Sequence, residues 1–189
     1  PEMGKKEYRV VSGETMESLL SQLSPDERHQ VEKCKKFNNA TLLEKFNIYI
    51  GSYWNAADAE FIKSANITQV FHFATGRPGL QVTPHVSTVF HKTLRYKSTE
   101  DVKRQFPVLQ EATAAVHTAL QNGETILVHC MRGRSRSVSV VIAYLMEYHN
   151  YSYEDARELI AAVRPSIGPH KGLIAQLQEF GEFLQQSKA

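Results

Sequence analysis

The spacing of apolar residues changes along the chain, and each change marks an element. Thr125-Ile126-Leu127-Val128 is an unbroken apolar run ending at His129, the pattern of a short strand buried on both faces. Beyond Ser137, Val138-Ser139-Val140-Val141-Ile142-Ala143-Tyr144-Leu145-Met146 reads as a helix buried all round. Upstream, Ile48 to Tyr53 alternates apolar and small residues and predicts a strand, Ala56 to Ala65 a helix, and Ile67 to Phe73 a second strand. The cluster Thr75-Gly76-Arg77-Pro78-Gly79 is a turn signal, and Val86 to Leu94 predicts another strand. Arg95 to Asp101 reads as a polar loop. Pro107 to Gln121 reads as a helix with Leu109, Ala112, Val116 and Leu120 on its inner face, ended by Gly123.

The two ends of the chain read as helical. Met16, Leu19, Leu20 and Leu23 fall at helical spacing, and Ser24-Pro25-Asp26-Glu27 has the cap and first-turn residues of a second helix running to about Lys36. Ser152-x-x-Asp155 opens a helix with Ala156, Leu159, Ile160 and Val163 inward, and Arg164-Pro165 breaks it. A last helix, Lys171 to Gln185, presents Leu173, Ile174, Leu177, Phe180 and Leu184. Strands alternating with helices predict an α/β fold, a central and mostly parallel twisted sheet flanked by helices. Residues 1–45 form an N-terminal helical extension and residues 46–187 the main domain. The extension is expected to brace the domain or to bind a partner.

Composition narrows the choice of partners. The 189 residues suit one domain with a real core, and neither 42% hydrophobic nor 22% charged content is unusual. A net charge of +2 gives no global field for nucleic acid or membrane. No run is apolar enough to span a bilayer and no signal-peptide pattern is visible, although Pro1 at the first position suggests a trimmed N-terminus. The two cysteines, Cys34 and Cys130, make no disulfide framework. Cys34 lies among Lys33, Lys35 and Lys36 and reads as an inert surface thiol. His72 reads as a core or rim side chain, because no second metal-type ligand sits at suitable spacing.

The candidate chemistry lies between the apolar strand and the apolar helix, in His129-Cys130-Met131-Arg132-Gly133-Arg134-Ser135-Arg136-Ser137. A strand–loop–helix junction can aim successive backbone N–H groups at one anion. A cysteine held there is expected to have a lowered pKa. The planar guanidinium of Arg136 can grip two phosphate oxygens at once.

The pattern His129-Cys130-x5-Arg136-Ser137 resembles the signature of the Cys-dependent protein tyrosine phosphatases, and its surroundings look like the dual-specificity branch. The strand, Gly51-Ser52, Ala-rich helix and Ile67-Thr68-x-Val70 resemble the opening of that family's domain. Arg164-Pro165-x-Ile167-x-Pro169 followed by Gly172-Leu173-x-x-Gln176-Leu177 resembles its close, with His170 where Asn is usual. The resemblance covers about residues 46–185 and implies a protein-tyrosine-phosphatase-like fold. It implies hydrolysis of phospho-Tyr and phospho-Ser/Thr through a Cys130 thiophosphoryl intermediate. It gives phosphate binding to Met131, Arg132, Gly133, Arg134, Ser135 and Arg136, leaving-group assistance to Ser137 and loop support to His129. No cofactor and no metal are implied. The partner is a phosphoprotein substrate, and the need for a reduced thiol suggests the cytoplasm, with the nucleus compatible.

One departure touches the chemistry. The family's general-acid Asp aligns with Ser98, which cannot act as an acid near neutral pH. Asp101 and Glu100 follow closely; either could serve, Asp101 could instead start a helix, or the chain could lack a dedicated acid. Losing a positioned acid typically costs about 10²–10⁴-fold. The alternatives left open are a slow phosphatase, a phosphatase for lipid or other non-protein phosphates that uses the basic pair Arg132 and Arg134, and a weakly active phosphoprotein-binding module.

Overall fold

The computed structural model describes residues 21, 24–33, 39–73, 88–91 and 99–187. The expected helix over 15–23, Cys34, the turn at 75–79 and Ser98 lie outside this set, apart from Ser21. Five strands form one sheet: β1 (Thr41–Leu43), β2 (Ile48–Gly51), β3 (Gln69–His72), β4 (Thr88–His91) and β5 (Ile126–His129). Their spatial order is β1-β2-β5-β3-β4. All neighbours run parallel except β1 and β2, which are antiparallel.

The pleat of the central strands sets the layers. Ile126 and Val128 of β5 enter the larger core, together with Ile48 and Ile50 of β2 and Phe71 of β3. Leu127 and Val70 point the other way, into a smaller cluster with Ala56, Ile62 and Ile67. Period-two alternation therefore becomes two apolar faces, each of which needs a helical cover. The larger face is covered by α4 (Thr99–Gln121), α5 (Arg136–His149), α6 (Tyr153–Val163) and α7 (Lys171–Gln186). The smaller face takes α2 (Tyr53–Ala57) and α3 (Ala59–Ser64). At the N-terminal side lies α1 (Pro25–Lys33), whose Arg28 N–H donates to Ser24 O at 2.9 Å. Every residue of α5 from Ser137 to Met146 is buried, as its unbroken apolar pattern requires.

Several expected boundaries move, each for a local reason. The strand expected to reach Tyr53 stops at Gly51, because the Ser52 N–H donates to Asn55 Oδ1 at 2.7 Å and turns the chain into α2. The helix expected over Ala56–Ala65 is two helices. Asp58 adopts extended backbone and its carboxylate accepts the Phe61 N–H at 2.9 Å, so it ends one helix and caps the next. The polar loop expected to run to Asp101 gives way at Thr99 to α4, which continues through Pro107. Proline removes one helical hydrogen bond, yet the fully buried stripe of Leu109, Ala112 and Val116 fixes the helix below it. Val163, expected inward, is 50% exposed, since the chain turns at Arg164 and buries that side chain instead. The edge strand β1 had no clear sequence signal.

The C-terminal helices begin as their caps suggest. Asp155 N–H donates to Ser152 Oγ at 3.0 Å at the start of α6. His170 caps α7 by accepting the Gly172 N–H on Nδ1 at 3.2 Å, as a short polar side chain would. None of the described helices is long and apolar enough to cross a membrane.

Candidate active site

The parallel strands β2, β5 and β3 end in register at Gly51, His129 and His72. The chain leaves this end of β5 at Cys130, loops through Met131–Ser135 and enters α5 at Arg136. Two backbone bonds pin the exit of the strand and the first residue of the loop. Phe73 N–H donates to His129 O at 2.9 Å, and Tyr53 N–H to Met131 O at 3.3 Å.

The loop can close only because residue 133 is glycine. Gly133 has φ +65, and a Cβ there would lie 2.5 Å from Gly51 O and 2.7 Å from Arg164 Nη2. The loop backbone thus lies directly on the end of β2. The segment after α6 holds its other side. Gly168 N–H donates to Arg134 O at 2.8 Å, His170 N–H to Ser135 Oγ at 3.0 Å, and Arg134 Nε to Ser166 O at 2.5 Å. The Arg164 guanidinium completes the frame by donating from Nε to Gly133 O at 2.8 Å.

Inside this frame Cys130 is buried, with Sγ 3.4 Å from Ser137 Oγ. Burial alone would push the thiol pKa up. It is held below the usual thiol value by hydrogen bonds to the sulfur from the Ser137 hydroxyl and from the backbone N–H groups of Ser137, Arg132 and Gly133. These bonds favour the thiolate form of the sulfur. Met131, Arg134, Ser135 and Arg136 are half-buried around the loop, Arg132 is exposed, and Ser137 is fully buried.

His129 is buried behind the loop, its Nε2 3.1 Å from Nδ1 of His72 on the neighbouring strand. One proton must lie between these two nitrogens for a hydrogen bond to form. His72 is thus a core side chain, as its isolation in the sequence suggested.

A buried thiol held low in pKa, on a loop of inward-turned N–H groups at a helix N-terminus, is an arrangement with a recognisable lineage. The dual specificity phosphatase catalytic domain matches residues 48–183 of the chain. The chain belongs to that family. It is 34% identical over 140 residues to dual specificity protein phosphatase 1B of Arabidopsis thaliana, covering 73% of this chain and 80% of the relative. It is also 34% identical over 134 residues to mouse dual specificity protein phosphatase 22, covering 70% of this chain and 69% of the relative. Among solved structures, human DUSP28 superposes with a TM-score of 0.65 at 27% identity, covering 77% of this chain and 95% of that one. The protein is accordingly a phosphoric monoester hydrolase of the protein tyrosine phosphatase superfamily, and the mixed α/β fold expected from the sequence is the family's fold.

Within this phosphatase domain, Cys130, Met131 to Ser135, Arg136 and Ser137 come together as one loop and the first turn of α5. Glu100 and Asp101 do not belong to a loop: they occupy the first turn of α4. Sequence reasoning missed Arg164 as a residue of the loop's frame. In the sequence it stood out only as a helix stop before Pro165 and as the first residue of the run that resembles the family's closing segment.

Proposed function

We propose that the chain hydrolyses phospho-Tyr and phospho-Ser/Thr in proteins through a covalent phosphoryl–Cys130 intermediate. The observation that carries this reading is the buried Cys130 thiol, held below its ordinary pKa by the Ser137 hydroxyl and three backbone N–H groups. The thiolate attacks phosphorus and the bond to the leaving oxygen breaks. Water then attacks phosphorus, the S–P bond breaks and free phosphate departs. The N–H groups from Met131 to Arg136 and the Arg136 fork carry the charge on the three equatorial oxygens. Ser137, 3.4 Å from the sulfur, donates to it as it leaves in the second step. His129 holds the strand end through His72. Neither step calls for a metal or cofactor.

The proton for the leaving oxygen is assigned to Asp101, with Glu100 as its competitor. Both stand in the first turn of α4. Ser98 at the family's acid position supports a slow enzyme whose rate depends on the leaving group. Alkyl phosphates then suffer more than aryl phosphates. Arg132 is exposed and Arg134 half-buried, so Arg132 is the better placed arginine for an acidic flank of the substrate. Pairing of β1 with β2 supports a bracing role for the segment that precedes residue 46. A reduced Cys130 supports a cytoplasmic or nuclear setting.

The test compares wild type with Cys130→Ser, Asp101→Asn and Glu100→Gln on an aryl phosphate, phosphopeptides and a phosphoinositide panel. Turnover is expected to vanish in the first variant and to favour phosphopeptides in the wild type. If neither carboxamide slows alkyl phosphate hydrolysis, both acid assignments are wrong. A burst of aryl alcohol without further turnover would replace the phosphatase reading by that of a phosphoprotein-binding module, which Ser98 favours.

A further inference from the structure

Arg164 ends α6 with only 5% of its surface exposed, yet among the described residues no carboxylate pairs with it. A buried guanidinium without an anion is costly unless hydrogen bonds replace its water. Three such bonds do so. Nε donates to Gly133 O at 2.8 Å, and Nη1 donates to Asn39 O at 2.6 Å and to Thr41 Oγ1 at 2.8 Å. One planar group therefore joins the phosphate loop to Asn39 and Thr41 at the start of β1, 125 and 123 positions from Arg164.

The bond to Gly133 O has a directional consequence. The peptide between Gly133 and Arg134 is planar and trans, so its carbonyl and its N–H point to opposite sides. Fixing the carbonyl on Arg164 turns the Arg134 N–H away from Arg164. Were the peptide to flip, a carbonyl oxygen would replace that N–H, and a donor to an anion would become an acceptor that repels it. Gly133 at φ +65 is the residue type for which such a flip is sterically cheap. Something other than local preference must hold the orientation.

We propose that Arg164 is a positioning residue: it locks the Gly133–Arg134 peptide so that the Arg134 N–H faces the phosphoryl group, and it takes its own position from Asn39 and Thr41. The N-terminal edge of the sheet is thereby part of the frame of the phosphate site. The inference rests on the phosphatase reading of the loop. The charge relation agrees with the geometry. Burial lowers the pKa of Arg164, the negative sulfur of Cys130 raises it, and Arg134 lowers it again.

Arg164→Lys keeps the charge but cannot reach all three acceptors. Thr41→Val removes one acceptor and leaves the loop residues untouched. The readouts are kcat and KM on an aryl phosphate, affinity for orthovanadate as a trigonal-bipyramidal mimic, the pH profile of iodoacetamide alkylation, and Tm. Loss of one transition-state donor typically costs about 10²–10³-fold in kcat, so Arg164→Lys is expected to lower kcat by about tenfold or more and to weaken vanadate in parallel. Thr41→Val is expected to do the same by about two- to tenfold. A fall in Tm in both variants with unchanged kcat, vanadate affinity and alkylation profile gives Arg164 a merely structural role and overturns the proposal. If Arg164→Lys yields no folded protein, Thr41→Val decides alone. Full activity in Cys130→Ser would instead overturn the reading of the loop as a site of covalent phosphoryl transfer to Cys130, whatever Arg164→Lys does.

Discussion

Replacing Gly133 by alanine perturbs the loop in two separable ways. An L-residue at φ +65 is held in the left-handed region, which costs about 1–2 kcal/mol. The new methyl would also lie 2.5 Å from Gly51 O and 2.6 Å from Gly51 C, both backbone atoms of a strand end paired with His129. Overpacking of this kind adds roughly 1–3 kcal/mol, because the neighbour cannot rotate away. The expected total is about 2–5 kcal/mol, a large part of the stability of an ordinary domain. Gly123 supplies the control. Its φ is +76, but a Cβ there meets nothing within 4 Å, so Gly123→Ala should cost only the backbone share, about 1–2 kcal/mol. Urea unfolding of the two variants with a common m-value isolates the contact term as their difference. Activity should separate them further. Gly133→Ala displaces an N–H that stabilises the Cys130 thiolate and should lower kcat/KM by at least about tenfold, whereas Gly123→Ala should leave it unchanged. Equal destabilisation by the two alanines, with equal activity, would refute the close approach of loop and strand.

Other outcomes follow from the same geometry. The Cys130 pKa is lowered from the ordinary thiol value of 9.0, so its ionisation stabilises the fold fully above pH 9 and less as pH falls through the folded pKa; the stability of wild type relative to Cys130→Ser should rise with pH across that window, and iodoacetamide should already label the thiol below it. Ser137→Ala removes the hydroxyl 3.4 Å from the sulfur; the thiol profile should move to higher pH, and dephosphorylation of the enzyme should become the slow step, seen as a larger burst with slower turnover. Arg136→Lys keeps a charge without the fork, and a fall in kcat/KM of less than about tenfold would count against bidentate binding of the transition state. Phe180→Ala empties a fully buried position of the larger core and should cost about 3–5 kcal/mol in urea unfolding with little change in the thiol profile.

The chain's own pattern determined the centre of the molecule. A strand buried on both faces and a helix buried all round draw most of their residues from the apolar set, so Ile126 to Val128 and Val138 to Met146 declare themselves. The loop between them carries its chemistry in consecutive residues, which is why Cys130, Arg136 and Ser137 were legible as a group. Caps such as Ser152 with Asp155 are equally local. What the tertiary structure alone decided depends on partners distant in sequence. Arg164 reads as a helix stop until Gly133 and Asn39 are seen to bond it, from 31 and 125 positions away. The three residues of β1 become a strand because β2 is there to pair with them. His72 becomes a neighbour of His129 only through strand register. Helix α4 passes through Pro107 because burial of the stripe beyond it offsets a local cost. Local rules weigh a few hydrogen bonds within one turn or pleat, while burial and long-range bonds, collected over the whole core, can override them.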